Sequence, residues 1–307
     1  MTLNEQGIRR DIHRAIHIVF TCCLILLTPG AAQESTTALA GRIMTEEFSS
    51  STLGRTWMYN VYLPDGYNSS NLEYPVIYLL HGSNGNESSW DEGIRVLDGL
   101  IQAGEVPPAI AIAPASGYSW WVDTLEPFET AITKDLIPHV DTTYRTIEDR
   151  EGRAIAGFSM GGYGTLRYAL VYPEVFGAAT VLSPALYDQQ PPPDSSARST
   201  GAFGDPYDPE LWTELNYPAS LESFKSKGLE VPVFIAVGDD DWNEPAGWEF
   251  NVEYQSVLLF ERLNKEAGSL AELRVVNGEH DWELWSPMLV EGLKYMFAFL
   301  RFPRASN

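Results

Sequence analysis

Cysteine is nearly missing from this 307-residue chain: there are two, Cys22 and Cys23, both close to the amino terminus. Beyond position 23 the sequence therefore offers no disulfide, no thiol nucleophile and no thiolate metal site. Positive charge is also scarce, with 20 Lys and Arg against 42 Asp and Glu, a formal net charge of −22. Such a surface repels polyanions, so nucleic acid and anionic membrane surfaces are excluded as partners, because both require clustered basic side chains. No apolar run is long enough to span a bilayer. Histidine is sparse too, at five positions, which leaves few groups able to move a proton near neutral pH.

The longest apolar run, about 18–27, follows Arg9, Arg10 and Arg14 and precedes the small residues of 29–32. Residues 1–32 thus have the form of a secretory signal peptide, and the expected setting is secreted or periplasmic without stable membrane insertion. Three basic and two acidic residues lie in that leader, so the rest carries 17 against 40. His13 and His17 also fall within it, as do both cysteines.

Past the leader, two opening strands are expected at 41–49 and 55–63, the second showing alternation. Continuous apolar runs at 76–80, 109–113, 154–158, 178–182, 233–237 and 273–276 have the character of strands buried on both faces. Helical patterning lies near 90–103, 129–140, 161–171, 251–265 and 283–300. Strands alternating with helices predict an α/β fold with a mostly parallel sheet covered on both sides, in one domain over 33–307. Residues 184–229, rich in Pro, Gly and Ser, interrupt the alternation and are expected to form a small cap.

The run Arg153-Ala-Ile-Ala-Gly-Phe-Ser159-Met-Gly-Gly-Tyr-Gly164 carries the most chemical information. A strand enters a G-x-S-x-G turn and a helix leaves it, the pattern of a nucleophile elbow that holds Ser159 at the top of a sheet. A serine hydroxyl needs a base to become nucleophilic. Beyond the leader only His81, His139 and His280 are available. His139 falls within a helical pattern and is expected to serve packing. His81 directly follows the run 76–80 and precedes Gly82, suited to shaping a loop. His280 follows the run 273–276 in Asn-Gly-Glu-His-Asp-Trp and is the expected base.

The third member must be a carboxylate that fixes the imidazole's tautomer. Asp241 follows the run 233–237 and gives the chain order Ser, Asp, His, with Asp239 and Asp240 as neighbouring alternatives. A calcium loop over the same triplet is rejected, because Glu244 stands where the turn glycine belongs and Phe250 where the closing glutamate belongs. The oxyanion formed in acyl transfer needs two N–H donors, for which Met160 and Ser83 are placed. Trp120, Trp121 and Trp242 lie just past strand ends, where they would receive a sugar or an aryl acyl group.

The motifs Leu79-Leu-His-Gly82, Gly157-Phe-Ser-Met-Gly-Gly162, Gly238-Asp-Asp-Asp241 and Gly278-Glu-His-Asp-Trp-Glu-Leu-Trp285 together resemble the esterase family of α/β-hydrolases. That family includes esterase D (S-formylglutathione hydrolase), feruloyl and acetyl-xylan esterases, siderophore esterases and mycobacterial mycolyltransferases. The resemblance spans nearly all of 41–300. It implies an α/β-hydrolase fold and a serine esterase without metal or organic cofactor. It assigns Ser159 as nucleophile, His280 as base, Asp241 as acid, and Ser83 and Met160 as oxyanion donors. An acyltransferase shares this machinery, and a non-catalytic carbohydrate-binding protein would be the reading from another class. The segment 184–229 departs from the substrate-binding insertions of any one named member, and nothing in the sequence fixes an oligomeric state.

Overall fold

Eight strands form one twisted sheet in a computed structural model that describes residues 38–242 and 247–305. They are β1 (Arg42–Ser50), β2 (Arg55–Leu63), β3 (Val76–Leu80), β4 (Ile110–Pro114), β5 (Arg153–Phe158), β6 (Ala178–Leu182), β7 (Val233–Gly238) and β8 (Ala271–Val276). Their spatial order is β1-β2-β4-β3-β5-β6-β7-β8, with β1, β2 and β4 paired antiparallel and every later pairing parallel. The leader reading of 1–32 and both cysteines lie outside the described residues, as do Asn243 and Glu244 of the rejected calcium loop. From Leu39 onward the chain forms one unit.

The apolar strands are continuous because the sheet is covered twice. In β3, Val76, Tyr78 and Leu80 point into one core, while Ile77 and Leu79 point into the other. The pleat sends successive side chains to opposite faces, so a strand with helices on both sides has no polar side to show. On one face lie α1 (Asp91–Gln102) and a long C-terminal helix, Trp282–Phe297. The other face carries α2 (Ile137–Thr143), α3 (Met160–Val171) and two further helices, Tyr217–Lys227 and Val252–Arg262. With Pro209–Leu215 as α4, these three become α5 (Tyr217–Lys227), α6 (Val252–Arg262) and α7 (Trp282–Phe297).

The segment expected to be a cap has two parts. Its end is α5, which buries Leu221 and Phe224 and packs against α3 as the crossover from β6 to β7. Pro209 and Pro218, which mark irregular structure in the sequence, both sit in the first turn of a helix, where a missing N–H costs nothing. Irregular chain with short helices therefore occupies only 184–216. Its aromatic residues Tyr187, Phe203 and Trp212 are buried together with Trp120 and Tyr163.

The strand order also places the site. From β3 the chain moves outward to β4, then returns past β3 to begin β5, and all later strands run the other way. The connections diverge at the carboxyl ends of β3 and β5, the usual ligand position in an open parallel sheet.

Candidate active site

Four loops converge on this rim. The first is the turn from β5 into α3, where Ser159 precedes the helix with φ 56° and ψ −123°. That is a strained conformation for a residue with a side chain, and it is held in place by bonds on both sides. The Ser159 N–H donates to the Leu182 carbonyl at 3.0 Å, and its own carbonyl accepts from Ala185 N–H at 3.0 Å. Close approach of strand, turn and helix requires glycine at two positions: a Cβ on Gly157 would collide with the Gly161 carbonyl, and one on Gly161 with the Leu80 carbonyl. Met160 begins α3, so its N–H has no carbonyl within the helix to bond.

The second loop leaves β3. His81 is fully buried and each of its ring nitrogens has a backbone partner. Nδ1 lies 2.6 Å from the Gly82 carbonyl, while Nε2 accepts from Ser116 N–H at 2.9 Å. An acceptor at Nε2 and a donor at Nδ1 define a neutral imidazole, and burial lowers its pKa to about 4. Trp121 Nε1 donates to the His81 carbonyl at 3.1 Å, and Asn84 N–H donates to Gly117 at 3.0 Å. These bonds brace the segment bearing Ser83. No acceptor among the described residues takes the backbone N–H of Ser83 or of Met160. The Ser83 hydroxyl donates to Ser196 Oγ at 3.0 Å, tying this loop to the 184–216 segment.

The third and fourth loops follow β7 and β8 and are laced together. Asp240 N–H donates to the Gly278 carbonyl at 3.2 Å, and Gly278 N–H to Asp239 Oδ1 at 3.2 Å. This lacing brings Asp241 under His280, with Oδ1 at 2.6 Å from Nδ1. The Asp241 side chain is fully buried and that of His280 is 15% exposed. Of the three adjacent aspartates, Asp241 reaches the imidazole and Asp239 is used on backbone. The other ring nitrogen, Nε2, is buried and has no hydrogen-bond partner among the described residues. Buried polar atoms are nearly always satisfied, so an uncommitted one on a fixed ring marks a place for chemistry.

Ser159 and His280 are linked through aromatic packing. Phe158, immediately before the serine, stacks on Trp285 at 4.5 Å, and Trp285 meets the His280 ring edge-on at 5.1 Å. Trp285 Nε1 also donates to Ser183 Oγ at 2.8 Å, just past the end of β6. Trp285 enters the sequence reading only as the last residue of the motif that begins at Gly278, with no role attached, and Ser183 carries no signal there. Both are recognisable only once β6 and α7 are seen side by side.

The tryptophans divide. Trp120 and Trp121, expected to receive substrate, are instead 1% and 0% exposed. Successive left-handed backbones, φ 55° and 59°, turn this pair inward, so Trp120 joins the aromatic core with Tyr163 and Trp212 while Trp121 braces His81. Their ring faces are covered. Trp242 remains at the rim, 46% exposed and stacked on His280. His139 packs as the sequence suggests, stacked on Phe48 at 4.3 Å with Nε2 2.9 Å from Tyr59 Oη, away from the rim.

No group of three or more His, Cys, Asp or Glu suited to a metal ion occurs among the described residues. No described helix is long and apolar enough to cross a membrane.

Comparison with known proteins bears on the family and the fold. The family described as "Putative esterase" matches residues 50–296. An esterase of Mycobacterium tuberculosis is 31% identical over 267 residues, covering 78% of this chain and 56% of the relative. An endo-1,4-beta-xylanase/feruloyl esterase of Xylanibacter ruminicola is 32% identical over 238 residues, covering 72% of this chain and 31% of the relative. The chain thus spans about half or less of the length of these curated relatives. Among solved structures, a ferulic acid esterase superposes with TM-score 0.70 at 26% identity, over 85% of this chain and 99% of the other. An S-formylglutathione hydrolase from Agrobacterium tumefaciens shares the fold with TM-score 0.68 at 20% identity, over 86% and 98%. The chain has the α/β-hydrolase fold and belongs to this esterase family.

Proposed function

We propose that this protein is a serine carboxylic-ester hydrolase working through an acyl-enzyme on Ser159. One observation carries the reading: the His280 imidazole has Nδ1 engaged by a buried carboxylate while Nε2 is buried and uncommitted, on the rim that also presents the strained Ser159. In the mechanism, Nε2 takes the Ser159 proton as Oγ attacks the ester carbonyl carbon. Asp241 stabilises the imidazolium that results. Negative charge on the carbonyl oxygen is met by the Met160 and Ser83 N–H groups, the former aided by the positive end of α3. Collapse returns the proton from Nε2 to the departing alcohol and leaves the acyl-serine. Water then gives a proton to Nε2 as its oxygen bonds to the acyl carbon, and collapse breaks the carbon–Oγ bond, returns that proton from Nε2 to Ser159 Oγ and releases the acid.

Two features favour a carbohydrate-linked or aryl ester. The outer face of Trp242 is open beside His280, and a relative is named as a feruloyl esterase. The strongly acidic composition disfavours anionic substrates. Residues 184–216, tied to Ser83 through Ser196, would act as the cap over the alcohol side. The leader-like pattern of 1–32 supports export.

The test is Ser159→Ala. We expect a folded protein in which ester turnover falls by at least about 10⁴-fold and no acyl-enzyme burst forms. Turnover of acetyl and feruloyl esters near the wild-type rate would refute the reading.

A further inference from the structure

Trp242 is an odd residue to find where it is. Its backbone φ is 42°, in the left-handed region that bulky side chains avoid, yet its indole is 46% exposed and so contributes little to the core. Strain and solvent exposure together call for a return elsewhere, and the stack on His280 supplies one. The ring centroids are 4.3 Å apart and the planes 14° from parallel.

The imidazole needs that contact. A single hydrogen bond at Nδ1 fixes one edge of the ring but leaves it free to swing out of plane, which would displace Nε2, the nitrogen read as the base. Trp285, at 82° to the imidazole, limits movement on one side. The indole of Trp242 lies flat against the ring and blocks the swing toward solvent. It also presents a π face to the ring at the moment Nε2 becomes protonated. The left-handed turn directly after Asp241 brings this about: residue 241 reaches Nδ1 and residue 242 folds back over the same ring.

We infer that Trp242 is a positioning residue, a flat lid whose inner face holds the His280 imidazole in the orientation that chemistry on Ser159 needs, whatever its outer face offers a substrate. The inference rests on His280 acting as the base. Its effect belongs in the chemical step: misplacing a catalytic group by about 1 Å costs on the order of 100-fold.

The experiment measures the rate at which a small alkyl fluorophosphonate labels Ser159, together with kcat and KM for p-nitrophenyl acetate, in wild type, Trp242→Ala, Trp242→Leu and Trp242→Phe. The alkyl probe has no aryl group to need an aromatic platform, and any platform for the p-nitrophenyl ring would be read in KM. The expected result is a 10- to 100-fold loss of labelling rate and kcat in Trp242→Ala and Trp242→Leu, with KM little changed and most of the rate restored in Trp242→Phe, as a flat ring demands. Wild-type labelling rates in Trp242→Ala, or a rise in KM alone, would overturn the inference and return Trp242 to substrate binding. So would equal rescue by Leu and Phe, which would make the contact simple apolar cover. Failure of the wild type to label at Ser159 would instead sink the hydrolase reading beneath it.

Discussion

Two histidines stand at the same rim of the sheet, each beside a tryptophan, and they are opposites. His81 spends both ring nitrogens on backbone, with Gly82 and Ser116, and is sealed from solvent. His280 spends one on the Asp241 carboxylate and keeps the other buried and uncommitted. Trp121 serves His81 by hydrogen-bonding its carbonyl, whereas Trp242 lies flat on the His280 ring. Completed hydrogen bonding makes a histidine part of the scaffold. An open position on a ring that is otherwise fixed makes it available for proton transfer. Residue type and place in the fold are shared, so the difference lies entirely in how many partners each ring has.

Substitution at the two rings should separate these roles. His280→Gln is expected to have the largest effect, lowering kcat by roughly 10⁴- to 10⁶-fold while the thermal midpoint stays near wild type, since the side chain lies at the rim and is 15% exposed. A folded variant keeping a tenth of wild-type activity would dissolve the contrast. His81→Ala should act through stability, with urea denaturation showing a loss of about 2–4 kcal/mol as the Gly82 carbonyl and Ser116 N–H are left without partners in a buried site. A stable variant with activity lost as completely as in His280→Gln would place His81 in the chemistry.

The smallest effect is in the pH dependence of folding. Burial holds His81 neutral down to about pH 4 in the folded protein, whereas in the unfolded chain it takes up a proton near 6.5. Between those values the unfolded state binds more protons, so this residue's contribution to stability is whole above about 6.5, declines as pH falls, and is gone below about 4. The slope in that window is at most about 1.4 kcal/mol per pH unit. Urea midpoints measured from pH 7 to 4 should show it in wild type and show less of it in His81→Gln. An identical slope in the two proteins would remove His81 as its source.

Much of this was readable along the chain because it depends on neighbours in sequence. Apolar runs doubly buried, glycines where strand and helix nearly touch, and a serine between them are local patterns with local causes, and β2, β3 and β5 begin and end within a residue or so of where periodicity puts them. Local logic also failed in identifiable places. Pro209 and Pro218 belong to the Pro-rich stretch set apart as a cap, yet they start α4 and α5, because a proline in the first turn and one inside a helix look alike without knowing the register. Trp120 and Trp121 read as rim residues because they follow a strand, yet two left-handed turns send them inward. Such φ values for bulky residues are imposed by surrounding contacts and have no signature of their own.

Sequence by itself determined the class of fold, the turn that carries Ser159 and the short roster of groups able to assist it, since each follows from spacing and side-chain chemistry within a few residues. Spacing left Asp239 and Asp240 open beside Asp241, which the family resemblance favoured; tertiary structure decided that Asp241 meets His280, which tryptophan covers it, and how His81 is sealed. Those outcomes depend on the lacing of the β7 and β8 loops, on Trp285 reaching across from α7, and on bonds between residues tens of positions apart. Distances of a few ångströms choose among chemically equal candidates, and no one-dimensional pattern records them.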